Sequence, residues 1–212
     1  MWGVALEDNA AGTAASGDVT FTGTATESTT MPFYIGGQRV QVGVTSGDTG
    51  TAIAAALVAA ITAATDLPVT AEVDGVDDTK INLTARNKGE HGNDIDLRAG
   101  YYQGERPPAG ITVAITAMIG GAGNPDIADA LSAIGDEQYY TIISPWTDTA
   151  NMSAVEAELD DRWGPMEQRT GHVFTGVGGT HAELSTWGSD RNSAHSSAIG
   201  VHDSPTPPWV WV

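Results

Sequence analysis

From Asp18 to about Met118, apolar and polar positions mostly alternate in short runs: VTFTGTAT, PFYIGGQRVQVGV, LPVTAEV, TKINLTA, IDLRAGYY and ITVAITAM. Val, Ile, Thr and aromatic residues fill these runs and Gly, Asp or Pro separate them, so each predicts a strand. Gly36-Gly37 within YIGGQRV predicts a hairpin, because the tightest hairpin turns need positive φ at both central residues. One helix interrupts, from about Thr51 to Thr65. Alanine favours helix there, and Asp48 or Thr49 is placed to cap the first turn.

Beyond Gly120 the pattern changes to alternating helix and strand. Asn124-Pro125 predicts the start of a helix that runs to Ile134 and is closed by Gly135. YYTIIS, Tyr139 to Ser144, reads as a short buried strand. A helix from about Asn151 to Trp163 carries Met152, Val155, Leu159 and Trp163 on one stripe, with Glu156, Glu158, Asp160 and Asp161 outside it. HVFTGV and SAIGVH predict further strands, and Thr180 and Glu183 form a capping box at the head of the helix between them. Such alternation implies right-handed crossovers and a mostly parallel sheet with helices on its faces. The apolar runs MWGVAL at the start and PPWVWV at the end predict a stretch of a longer protein, since terminal residues are normally polar and loosely held.

Composition narrows the function. The 212 residues carry 27 acidic and 9 basic side chains, a formal charge of -18. Nucleic acid is excluded as a partner, because affinity for it comes from Lys and Arg displacing counterions. The acids are spread along the chain and form a solvated surface, compatible with a salt-rich source. There is no cysteine, hence no disulfide framework and no thiolate chemistry. The longest apolar run, AIAAALVAAITAA, is too short and too rich in alanine to span a bilayer.

Several fragments imitate sites. DTG at Asp48–Gly50 and HGN at His91–Asn93 are similar to the Asp and His segments of subtilisin-type proteases, with Ser144 or Ser193 as the serines to complete a triad. No serine sits in the turn such a triad requires. GGAGNPD, Gly120 to Asp126, occupies the place of a phosphate loop but puts Asp126 where a third glycine belongs, and a carboxylate there competes with phosphate. His91, His172, His181, His195 and His202 show no metal-ligand spacing. VDGVDDTK, Asp74 to Lys80, lacks the final Glu of a calcium loop and predicts a hairpin turn. Tyr101 and Tyr102 offer an aromatic platform for a surface- or carbohydrate-binding module. The residues themselves point to no catalytic, cofactor-binding or metal site.

One resemblance covers nearly the whole chain. YIGGQRVQVGVTSGDTGTAIAAALVAAI, INLTARNKGEHGNDIDLR, PAGITVAITAMIGGAGNPDIADALSAIGDEQYYTIISPWTD, LDDRWGPM and SPTPPWVW, in that order, resemble the contractile tail sheath proteins of Mu-like bacteriophages. The resemblance implies a structural subunit of a phage or prophage tail, not an enzyme, without cofactors. It implies an α/β core, with a mostly parallel sheet and helices on its faces, into which a β-rich α+β domain is inserted. Residues 1–12 would supply the first core strand through Trp2–Leu6, residues 13–117 the insert and residues 118–212 the rest of the core. Partners would be other sheath subunits and the tail tube protein, with no nucleic acid and no membrane insertion. The place would be the virion tail, assembled in the host bacterial cytoplasm. Arg86, Lys88 and His91 would be surface residues of the insert. Arms that add strands to neighbouring subunits lie outside this sequence, so this stretch by itself is expected to be monomeric.

Overall fold

The computed structural model describes residue 6 and residues 8–212. The reading of Trp2–Leu6 as a core strand falls, Leu6 apart, outside the described residues. The chain divides into a strand-rich unit, Gly12–Gly123, and a mixed unit made of Met1–Ala11 and Asn124–Val212.

The strand-rich unit contains β1 (Ala14–Gly23), β2 (Thr29–Ile35), β3 (Gln38–Val44), α1 (Gly50–Ala63), β4 (Val69–Val73), β5 (Lys80–Lys88), a 3-10 turn at Glu90–Asp94, β6 (Leu97–Arg98) and β7 (Ile111–Ile119). They form two antiparallel sheets, one in the order β4-β5-β1-β7 and one in the order β3-β2-β6. Gly36 and Gly37, with φ of 55° and 79°, close the β2–β3 hairpin and fix its register at Ile35 opposite Gln38. Val40, Val42 and Val44 then alternate into the core while the residues between them face out. Helix α1 lies against β1, β4 and β5 of the larger sheet and β3 of the smaller. Its buried Ile53, Ala54, Leu57 and Ile61 join a core that holds Phe21, Met31, Phe33, Ile81 and Leu83. Thr49 is the N-cap, accepting from the Ala52 N–H. Asp48 is not: its carboxylate accepts from the Thr45 N–H at 2.7 Å and shapes the turn ahead of the helix.

The run IDLRAGYY yields only the two-residue β6. Gly100 turns the chain with φ of 91°, and the Glu105 carboxylate takes the N–H groups of Tyr101 and Tyr102 at 2.9 and 3.0 Å. Donors engaged by a side chain are lost to a ladder, so a loop replaces the strand.

The mixed unit contains α2 (Ala128–Ile134), β8 (Thr141–Ser144), α3 (Thr149–Trp163), β9 (His172–Gly178), α4 (His181–Ser189) and β10 (Ser196–Val201). β9 lies between β8 and β10 and pairs parallel with both. Met152, Val155 and Leu159 of α3 bury against Val173 of β9 and Ile127, with Leu6, Ile142 and Trp187 around them. Thr180 and Glu183 form the capping box of α4 in both directions. Among the described residues the chain is of mixed α+β class, two of the three sheets are antiparallel and parallel pairing is confined to these three strands.

Three expectations for this unit are corrected. The segment Asn124–Ile127 is not helical, and α2 begins only at Ala128. Asn151 explains why: its amide donates to the Pro125 carbonyl at 2.9 Å and accepts from the Ile127 N–H at 3.2 Å, engaging the backbone groups of the segment with a side chain. The stripe of α3 ends on Arg162, not Trp163. Arg162 is 8% exposed because it donates to Glu158 Oε1 at 2.8 Å and to the carbonyls of Glu137 and Gly135 at 2.9 and 2.6 Å. Trp163 is turned outward and 56% exposed. The run YYTIIS is less buried than its composition predicts: Tyr139 and Tyr140, ahead of β8, and Ile143 within it are at least half exposed, and among the described residues β8 pairs only with β9.

Arg162 thus ties the end of α2 to α3. Arg162→Ala is expected to lower stability by about 2–3 kcal/mol, since it strands two carbonyls and removes a charge-assisted bond. Urea denaturation of the variant checks this; a loss below about 0.5 kcal/mol would mean that water replaces the guanidinium.

Candidate functional site

The residues singled out for chemistry are mostly occupied in building turns. Asp48 sits before the α1 cap, as described. His91 lies half-buried in the Glu90–Asp94 turn. Ser144, 5% exposed, donates through Oγ to the Trp146 carbonyl at 3.0 Å. Ser193 Oγ accepts from the His195 N–H at 3.1 Å. Each serine is thereby held in a local turn and not presented as a nucleophile.

Asp74 illustrates the same economy. Bonds from the Asn82 amide and from the Val76 and Asp77 N–H groups hold its carboxyl down at about 2, and they build the β4–β5 turn. Arg86, a candidate phosphate ligand by type, donates its Nε to the Leu67 carbonyl at 2.8 Å and so staples the segment before β4 to β5. Among the described residues no group of three or more His, Asp or Glu could hold a metal ion. No helix among them is long and apolar enough to cross a membrane.

Tyr101 and Tyr102 do not make a flat platform. Their rings meet edge-on, 5.0 Å apart at 80°, and both pack near Tyr34, whose hydroxyl donates to Glu105 at 2.9 Å. The Tyr101 and Tyr102 N–H groups hold the Glu105 carboxyl below its ordinary range. This is a braced loop, whereas a sugar ring stacks on an open aromatic face.

One pairing escaped the sequence. His172 Nε2 lies 2.9 Å from Ser197 Oγ, across the parallel β9–β10 ladder. By distance alone it is a base and a nucleophile. No carboxylate bonds the imidazole among the described residues, and Ser197 lies on an exposed stretch of β10. It is a cross-strand polar pair. Nothing in HVFTGV or SAIGVH could reveal it, because the parallel register alone brings the two side chains together. A small cavity of about 10 Å³ is lined by Ile134, Gln138, Tyr139, Leu159, Arg162 and Arg169. It is at the limit for one water molecule.

What the mixed unit does present is open sheet edge. The outer sides of β8 and β10 have no partner strand among the described residues, and Ile143 and Ile199 are 54% and 44% exposed there. An exposed edge is a template for pairing with another strand. Its surroundings are acidic, and Arg162, Arg169 and Arg191 all pair with carboxylates of the same unit.

Comparison with known proteins decides the family. The model described as the phage tail sheath protein beta-sandwich domain matches residues 10–124, and that of the phage tail sheath protein central domain matches residues 120–212. The chain belongs to the phage tail sheath protein family. It is 42% identical over 211 residues to the Mu-like prophage FluMu tail sheath protein of Haemophilus influenzae; the match takes in 100% of this chain and 43% of that protein. The sheath chain thus spans less than half the length of this curated relative. Among solved structures, the D2-D3 domains of the flagellar cap protein FliD from Escherichia coli are 17% identical, covering 53% of this chain and 65% of that one, with a TM-score of 0.30. The FliD D2-D3 domains from Serratia marcescens are 16% identical, covering 59% and 94%, with a TM-score of 0.23.

The Glu90–Asp94 turn contains a perturbed carboxylate. Burial pushes Asp94 up from 3.8 to about 6. The folded chain therefore binds that proton more tightly than the unfolded chain does. The resulting stability is complete below about pH 4 and is lost as pH rises through about 6. Because the residue as a whole is exposed, the effect is small, under ~1 kcal/mol. Asp94→Asn is expected to melt at or slightly above the parent at pH 7.5 and to match it at pH 4. A lower melting temperature at pH 7.5 would show that the carboxylate gains more from its surroundings than it loses in hydration.

Proposed function

We propose that this chain forms the β-sandwich and central-domain part of a contractile tail sheath subunit of a phage or prophage. Copies of the whole subunit stack around the tail tube, and the sheath contracts to drive the tube through the host envelope. The observation that carries this reading is the 42% identity to a Mu-like prophage tail sheath protein along the full chain.

In this reading the mixed unit is the α/β core of the subunit, its parallel sheet extended by further strands, and the strand-rich unit is inserted into it. The partners are other sheath subunits and the tube protein. The subunit works in the virion tail after assembly in the host bacterial cytoplasm. It has no catalytic, cofactor or metal site. Contraction then draws on energy stored in the extended lattice, so no nucleotide is needed.

The open sides of β8 and β10 are where further strands join, from the same subunit or, as strand augmentation, from a neighbour. Strands are not the whole of an interface, and copies of this chain, each at a formal charge of -18, repel one another. The chain on its own is therefore expected to be monomeric in moderate salt. Any residual association should grow with ionic strength, because salt screens the repulsion between copies at -18. Light scattering and negative-stain microscopy over a salt series test this. Regular tubes or closed rings formed by this chain at low salt would overturn the assembly scheme.

A further inference from the structure

The stretch KGEHGND, Lys88 to Asp94, lies where the chain passes into and out of the strand-rich unit. Thr13 and Ala122 face each other in an isolated antiparallel bridge. The Thr13 N–H donates to the Ala122 carbonyl at 2.8 Å, and the Ala122 N–H donates back to the Thr13 carbonyl at 3.1 Å. That same carbonyl accepts from the Gly89 N–H at 3.1 Å, and Thr13 Oγ1 donates to the Gly120 carbonyl at 2.7 Å. Asn93 completes the arrangement. Its Nδ2 donates to the Gly121 carbonyl at 2.9 Å and its Oδ1 accepts from the Gly121 N–H at 2.8 Å. The side-chain amide thus pairs with a backbone peptide as a neighbouring strand would.

The glycines make this approach possible. A Cβ at Gly121 would run into the Gly89 carbonyl and come within 3.0 Å of Asn93 Oδ1; one at Gly92 would stand 2.9 and 3.0 Å from the Ala15 and Ala85 methyl carbons. Gly89, Gly92 and Gly121 are all buried. The limits of the unit, Gly12 and Gly123, fall immediately outside the bridge.

We propose that the Lys88–Asp94 loop is a clasp. It holds the two crossings of the strand-rich unit, at Thr13 and at Gly120–Ala122, against each other, with Asn93 as the positioning residue. Movement or fraying of the chain outside the neck then stops at Thr13 and Ala122 and does not run into β1 and β7. Two-residue bridges are weak on their own, since a single backbone pair nets only about 1 kcal/mol per bond. The side-chain amide adds two bonds at one point, and the Gly89 N–H, just past β5, adds another. This role stands independently of the sheath reading.

Hydrogen exchange on the full chain tests it. In Asn93→Ala the amides of Thr13, Gly121 and Ala122 are expected to exchange at least 10-fold faster, while those of Val19 and Phe21 in β1 and of β9 change less than twofold. Asn93→Asp keeps the acceptor for the Gly121 N–H but lacks the donor for the Gly121 carbonyl, so Gly121 should stay protected while Thr13 and Ala122 exchange at intermediate rates. Protection of Thr13 and Ala122 unchanged in Asn93→Ala would overturn the clasp. So would uniform acceleration through the strand-rich unit in both variants, which would make Asn93 an ordinary contributor to global stability.

Discussion

Backbone donors and acceptors need partners, and where the chain enters and leaves the strand-rich unit the pairing rests on a few bonds. At Thr13 and Gly120–Ala122 no long ladder is available. The chain solves the problem with a short bridge, the Gly89 N–H and the Asn93 amide. The core of the strand-rich unit depends on this closure. β1 starts at Ala14 and β7 ends at Ile119, so the two strands that pair along most of their length are also the two that leave the unit. If their free ends parted, separation would begin at the β1–β7 ladder and expose Ala15, Val19, Phe21 and Met118, all buried.

The mixed unit meets the same requirement with side chains. Asp148 caps α3 by accepting from the Asn151 N–H and also binds the amides of Asn124 and Asn151. Burial works to raise its pKa, yet the donors from Asn151 and Asn124 outweigh it and the carboxyl is held below its ordinary range. Asn151 in turn satisfies Pro125 and Ile127. One carboxylate and two amides therefore fix the first turn of α3 and the segment leading to α2. Met152, one residue further on, is carried into the core beside Ile127.

How much of this was legible depends on range. Local signals worked where their partners were local: the Gly36-Gly37 turn, the alternation Val40, Val42, Val44 and the Thr180–Glu183 capping box all stand as the residues imply. They failed where a distant side chain intervened. Asn124-Pro125 looks like a helix start, but Asn151 captures the backbone that a helix would need. IDLRAGYY looks like a strand, but Glu105 takes its donors. In INLTARNKGEHGNDIDLR the charged Arg86 is spent on the Leu67 carbonyl, and the residue that matters most there, Asn93, is uncharged. A bidentate amide–peptide contact between residues 28 apart has no periodicity and no composition to announce it. The family, by contrast, was readable because it rests on many short phrases in a fixed order and on no single contact.

Charge sets the terms on which such a chain can associate. The mixed unit carries more than half of the acidic side chains but only Arg162, Arg169 and Arg191 of the basic ones, and those three are already paired within it. No spare cation is left among the described residues of this unit to meet the carboxylates of a second copy. In the assembly proposed above, attraction between copies would come from directional backbone pairing at the sheet edges and from apolar contact, against a like-charge background. At physiological salt the screening length is about 8 Å, so repulsion between surfaces is felt only when they are nearly in contact. Wrong encounters are then turned away at little cost to the right one, because a strand that docks in register gains several backbone bonds at once while a misplaced one gains none. In that proposed assembly an acidic surface with open edges favours specificity over strength, and a strand supplied at high effective concentration from a neighbour already in place would complete a contact that free copies would not make.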